Sequence, residues 1–182
     1  NSSTIVTAKT SMPSWNRRRA DKKETTALSK LQIGRVAPDF TLAATGDKKI
    51  RLKTLRGSHV VLFFYPKDNT PGCTQEGVSF KEHYAKFKRR NTIILGISRD
   101  SIASHEKFRA KFDFPFDLLS DPDEKACGAY DVIREKNMYG RKVIGIERST
   151  FLIDSDGKLR NEWRKVRVKG HVEAVLAAVK DL

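Results

Sequence analysis

The sequence predicts an α/β domain with a mixed central sheet flanked by helices and a hairpin at its N-terminal end. Three observations carry that expectation. Val60 to Tyr65 is an unbroken apolar run rich in β-branched and aromatic residues, too short for a helix, as in a strand buried on both faces. A cluster of breakers follows, Pro66, Asn69, Pro71 and Gly72, and then Phe80, Tyr84 and Phe87 mark one apolar stripe of an amphipathic helix. Thr92 to Ile97 repeats the buried-strand pattern, and turn residues near both ends of the domain imply antiparallel additions.

In chain order, residues 1–35 form a basic, Ser/Thr-rich segment with Arg17-Arg18-Arg19 and Lys22-Lys23 and no apolar periodicity. They read as a disordered extension preceding a domain over 36–182. Asp39 to Leu42 and Ile50 to Leu52 read as strands around the turn Thr45-Gly46-Asp47, and Leu55-Arg56-Gly57 leads into the central strand at Val60. Ser101 to Phe112 reads as a helix anchored by Ile102, Phe108 and Phe112, and Pro115 to Leu119 as a short strand. Ser120-Asp121-Pro122-Asp123-Glu124 reads as a helix start, with Cys127 and Tyr130 on that helix. Residues 131–146 read as a long basic loop. Ser149 to Ile153 and Lys158 to Trp163 are strands around Asp154-Ser155-Asp156-Gly157, and Val172, Val175, Leu176 and Val179 stripe a C-terminal helix.

Composition narrows the function. The net charge is +14, of which residues 1–35 carry +6, so the basic excess is spread along the chain. Such an excess attracts polyanions, and a basic nucleic-acid-binding protein is kept as an alternative, although nucleic acid is not the expected partner. No stretch reaches the roughly 20 apolar residues that span a bilayer, so no membrane association is expected. Two cysteines in 182 residues oppose a disulfide scaffold and agree with a reducing, cytoplasmic location. The chain begins at Asn1, so the extension also fits a targeting remnant, which would mean an organelle or the nucleus. The four histidines are scattered without metal-ligand spacing, and neither metal nor cofactor is expected.

The chemistry concentrates at Cys73, where a central strand turns into the first turn of a helix. Unpaired N–H groups and the positive end of the helix dipole stabilise an anion at such a point, which suits a nucleophilic thiolate. Thr70 lies three residues before it and Glu76 three residues after.

The segments A-P-D-F-T-L (37–42), V-V-L-F-F-Y-P-K-D-N-T-P-G-C-T-Q-E (60–76), G-I-S-R-D (96–100), L-L-S-D-P (118–122), M-Y-G-R-K (138–142), G-I-E-R-S-T-F-L-I-D (145–154) and D-G-K-L (156–159) carry a resemblance to a known family. The chain resembles the peroxiredoxins of the bacterioferritin-comigratory, or Q-type, subfamily over residues 36–182. That resemblance implies a thioredoxin-like fold and a thioredoxin-dependent thiol peroxidase reducing hydrogen peroxide and organic hydroperoxides. It implies Cys73 as the peroxidatic cysteine, Thr70 as a hydrogen-bond partner of the peroxide, Pro66 as a shield from bulk water, and Arg148 approaching from a distant strand. Glu76 matches the acidic position that orients the arginine. A monomer served by thioredoxin or another thiol is implied as well.

The sequence departs from many such relatives at Val78, which occupies the position of a resolving cysteine five residues after the peroxidatic one. Cys127, the other thiol, reads first as a small apolar core residue. Two cycles follow: a one-cysteine cycle with an external thiol, preferred here, or a two-cysteine cycle using Cys127. A thiol–disulfide oxidoreductase would want C-x-x-C, whereas residues 73–76 read C-T-Q-E.

Overall fold

The computed structural model describes residues 31–182. Seven strands form one sheet: β1 (Thr41–Ala44), β2 (Lys48–Arg51), β3 (His59–Phe64), β4 (Thr92–Ser98), β5 (Asp117–Ser120), β8 (Ser149–Ile153) and β9 (Leu159–Trp163), in the order β2-β1-β5-β4-β3-β8-β9. Strands β3, β4 and β5 run parallel, and antiparallel strands flank them on both sides. A separate pair, β6 (Ile133–Met138) and β7 (Arg141–Ile146), makes a two-stranded hairpin. The helices are α1 (Pro71–Arg89), α2 (Ile102–Phe112), α3 (Lys125–Ala129) and α4 (His171–Lys180). This is the mixed α/β architecture that the order of elements predicts, in the thioredoxin-like form that the resemblance implies.

The alternation of β3 divides the core in two. Val61, Phe63 and Tyr65 face one way and pack with Phe80 and Phe87 of α1, Phe108 of α2 and the Val172, Val175, Leu176, Val179 stripe of α4. Val60, Leu62 and Phe64 face the other way, against Phe40, Leu42, Leu52, Cys127, Tyr130 and Phe151. Each buried Phe or Leu contributes about 1.5–3 kcal/mol of burial. Both faces of β3 are therefore covered, which is why its sequence shows no polar alternation.

Several elements differ from the sequence expectation. The first hairpin sits two residues later at its first strand, because the Asp39 carboxylate accepts from the backbone N–H groups of Phe40 and Lys53 and is used as a local cap. The helix expected to start within 120–124 begins at Lys125; Pro122 lies in the turn before it, and the Asp121 carboxylate accepts from the N–H groups of Lys125 and Cys127. The basic loop expected over 131–146 is the β6–β7 hairpin. Its two-residue turn is Tyr139-Gly140, both at positive φ, the geometry that matches strand twist in tight hairpins. A Tyr in place of the usual Asn or Asp concealed that turn, and the strands show no apolar alternation because little of the hairpin is buried.

Residues 31–35, read with the extension, are tied to the domain: Gly34 N–H donates to Leu159 O, and Leu159 N–H to Arg35 O. The rest of the expected disordered extension, residues 1–30, lies outside the described residues.

Candidate active site

Strand β3 ends at Phe64, and the chain runs through Tyr65 to Thr70 beyond the end of that strand before α1 begins. Pro71 occupies the first helical position, where its missing N–H costs nothing, and Cys73 is the third residue of the helix. Thr70 is the cap residue, but its hydroxyl donates to Lys67 O (2.8 Å) and caps no helical N–H. The first turn of α1 thus keeps its N–H groups unclaimed by a side-chain cap.

Arg148 reaches this turn through sheet register. Phe64 pairs with Ser149, so the residue before β8 falls beside the end of β3, over the start of α1. The guanidinium spans two groups on α1. Nη2 donates to Cys73 Sγ (3.3 Å), and Nη1 donates to Glu76 Oε1 (2.9 Å). Gly72 makes room for this approach, since a Cβ there would meet Arg148 Nη2 at 3.1 Å. Cys73 is only 2% exposed and Glu76 is fully buried. Glu76 Oε2 has no hydrogen-bond partner among the described residues. Burial pushes the Glu76 carboxyl up to about 7, against the pull of Arg148. Burial also works against the charge on Arg148, but Glu76 and Cys73 outweigh it and hold its pKa above the usual arginine value.

The structure thus brings together Cys73, Arg148 and Glu76. Pro66 and Thr70 lie half-buried in the loop just before them, and neither hydrogen-bonds to Cys73. Cys127 is on the other face of the sheet, in the Val60–Leu62–Phe64 cluster. It is fully buried, and burial together with Asp121 and Glu124 pushes its thiol well above the ordinary range. Both cysteines are free thiols.

Two groups near the site escaped sequence reasoning. His171, at the start of α4, bonds Thr150 Oγ1 through Nε2 (2.8 Å); burial and then Arg148 depress it to about 4, so it is neutral. Lys136, on β6, donates to Ile146 O. Burial and then Arg148 lower its pKa, while Glu147 and Cys73 pull the other way. The signal for Lys136 was hidden because its strand read as a loop.

A thiol at a helix N-terminus with a guanidinium fixed on its sulfur is the arrangement of a thiol peroxidase. Residues 33–162 match the AhpC/TSA family, and the chain belongs to it. Within that family its relatives are Q-type (Bcp) peroxiredoxins. Peroxiredoxin Bcp of Xanthomonas campestris pv. campestris is 49% identical over 150 residues, 82% of this chain and 94% of that protein. Peroxiredoxin Bcp of Bacillus subtilis is 44% identical over 152 residues, 84% of this chain and 97% of that protein. Among solved structures, the bacterioferritin comigratory protein of Xanthomonas campestris, studied for alkyl peroxide reduction, superposes with TM-score 0.75 at 50% identity. That match covers 78% of this chain and 90% of the other. No helix among the described residues is long and apolar enough to cross a membrane.

Proposed function

We propose that the protein reduces hydrogen peroxide and organic hydroperoxides at Cys73 by a one-cysteine cycle completed by an external thiol. The observation that carries this reading is the Arg148 fork, with one nitrogen on the Cys73 sulfur and the other held by Glu76. The Cys73 thiolate attacks the nearer peroxide oxygen; an S–O bond forms as the O–O bond breaks. The departing oxygen leaves as hydroxide or alkoxide and takes a proton to give water or alcohol. Arg148 cannot lose its proton and donates to the charge developing on that oxygen, while the first-turn N–H groups of α1 orient the peroxide. The Thr70 hydroxyl, already donating to Lys67 O, offers its lone pairs to the peroxide proton. Pro66 limits water at the pocket mouth.

The product on the protein is a Cys73 sulfenic acid. One thiol of thioredoxin or another reductant displaces water from it to give a mixed disulfide, and a second thiol releases Cys73. Action as a monomer is part of the proposal and rests on the resemblance to the Q-type subfamily. The hydroperoxide substrate class is also supported by the alkyl peroxide reduction of the Xanthomonas campestris relative.

The two-cysteine alternative is disfavoured because Cys127 packs on the opposite face of the sheet, among residues of the other core cluster. Stopped-flow peroxide consumption by wild type, Cys73→Ser and Cys127→Ser tests the choice. Activity lost only in Cys73→Ser supports the one-cysteine scheme; loss of turnover in Cys127→Ser with a normal first peroxide step supports the alternative.

A further inference from the structure

The loop from Pro66 to Thr70 delivers the peptide chain to Cys73, yet its own backbone is irregular and Asn69 sits at φ 58°. What holds it comes almost entirely from α2 and the turn before that helix. Lys111 Nζ donates to Asn69 Oδ1 (3.0 Å), and Asp68 N–H donates to Asp100 Oδ2 (3.0 Å). Asp68 itself is nearly buried and accepts three side-chain hydrogen bonds: from Tyr65 Oη (2.6 Å) on Oδ1, and from Ser104 Oγ (2.8 Å) and His105 Nδ1 (2.7 Å) on Oδ2. These donors outweigh the effect of burial and keep Asp68 below the usual carboxylate range.

His105 is fully buried, and both of its ring nitrogens face acceptors. Nδ1 meets the Asp68 carboxylate, and Nε2 lies 2.8 Å from Leu119 O of β5. An ionised carboxylate and a carbonyl can only accept, so each ring nitrogen has an acceptor within hydrogen-bond reach. The titratable groups facing this ring are Tyr65 and Asp68 from the β3 end, and Asp100 from the turn after β4. Ser104 beside it on α2 and the β5 backbone supply no charge.

We propose that His105 is a positioning residue for the peroxidatic reaction: as a doubly protonated imidazolium it bridges β5 to Asp68 and fixes the 66–70 loop that presents Thr70 and the first turn of the Cys73 helix. It rests on the proposed function for its consequence but not for its geometry. The Asp68, Asp100 and His105 ligand atoms lie within 4.8 Å of one another, a spacing that a divalent cation could also use. A metal on either ring nitrogen would require loss of the proton held there, so the proton and the cation are exclusive.

Imidazole ¹H–¹⁵N spectra of the wild-type chain test the protonation directly. Both His105 nitrogens are expected to carry protons at pH 7, and added zinc or manganese is expected to leave those resonances in place. A single neutral tautomer, or displacement of the resonances by stoichiometric metal, overturns the proposal. The functional arm compares single-turnover sulfenic-acid formation in wild type and His105→Gln, each scaled to folded protein. The variant is expected to lose about tenfold or more in rate per folded molecule. An unchanged rate per folded molecule overturns the positioning role, while Cys73→Ser remaining inactive shows that the peroxidase reading stands independently. If His105→Gln does not fold, single-turnover sulfenic-acid formation by Asp68→Asn, scaled to folded protein, takes its place: about a tenfold loss is expected, and an unchanged rate overturns the positioning role.

Discussion

Cys73 and Cys127 occupy the same position within their helices, on opposite faces of the sheet. Each is the third residue of a helix that follows a parallel strand of the same sheet, and each is buried. Their surroundings differ in sign. At the start of α1 no side chain caps the helix, and the nearest charged group on the sulfur is the Arg148 guanidinium. At the start of α3 the Asp121 carboxylate already fills the anion site, taking the N–H groups of Lys125 and of Cys127 itself. A helix terminus stabilises an anion by about 0.3–1 kcal/mol when exposed and up to ~2 when partly buried, so one carboxylate is enough to use it up. The two strand–helix junctions thus differ in the unclaimed N–H groups and the cation, and on the proposed function that difference is what makes Cys73 the nucleophile.

The largest effect expected from this contrast is at the cysteines themselves. Cys73→Ser should reduce peroxide consumption to background in a stopped-flow assay, whereas Cys127→Ala should leave the first peroxide step within about twofold and cost about 1–2 kcal/mol in urea unfolding through a small cavity. Next comes the guanidinium. Arg148→Ala should lower the single-turnover rate by roughly 10²–10³ and destabilise the fold by about 1–3 kcal/mol, because the buried Glu76 carboxyl loses its hydrogen-bond donor. Arg148→Lys should recover little of the rate, since a point charge cannot hold the sulfur and Glu76 together.

A smaller effect should follow from Gly72→Ala, whose Cβ would press on Arg148 Nη2 and shift the fork by a few tenths of an ångström against the sulfur. About a tenfold fall in rate is expected with little change in melting temperature. The smallest concerns Glu76 and pH. Its folded pKa is raised to about 7 by burial, so the native state holds the proton more tightly than the unfolded chain. Stability should therefore fall as pH rises from about 4.5 through 7, and Glu76→Gln should flatten that slope in urea titrations between pH 5 and 8.

How much of this was legible in the sequence follows from where the information sits. The β3 run and the breakers after it placed Cys73 at a strand–helix junction because burial on both faces and turn chemistry leave local marks. The α4 stripe was readable for the same reason. The approach of Arg148 to Cys73 was not derivable from spacing. It depends on the Phe64–Ser149 register, a long-range pairing that only the family resemblance suggested. The β6–β7 hairpin left no mark either, since its strands are mostly exposed and are held by Lys136, Arg99 and Arg134 rather than by an apolar face. The His105–Asp68 contact joins residues 37 apart through a buried polar network, and scattered histidines in a sequence carry no sign of such a partner.

The most direct test is to treat the reduced protein with one equivalent of peroxide in the presence of a sulfenic-acid trap and map both thiols by mass spectrometry. A trapped adduct on Cys73 and an unmodified Cys127 are expected. A quantitative Cys73–Cys127 disulfide, or an adduct on Cys127, would contradict the one-cysteine cycle at Cys73.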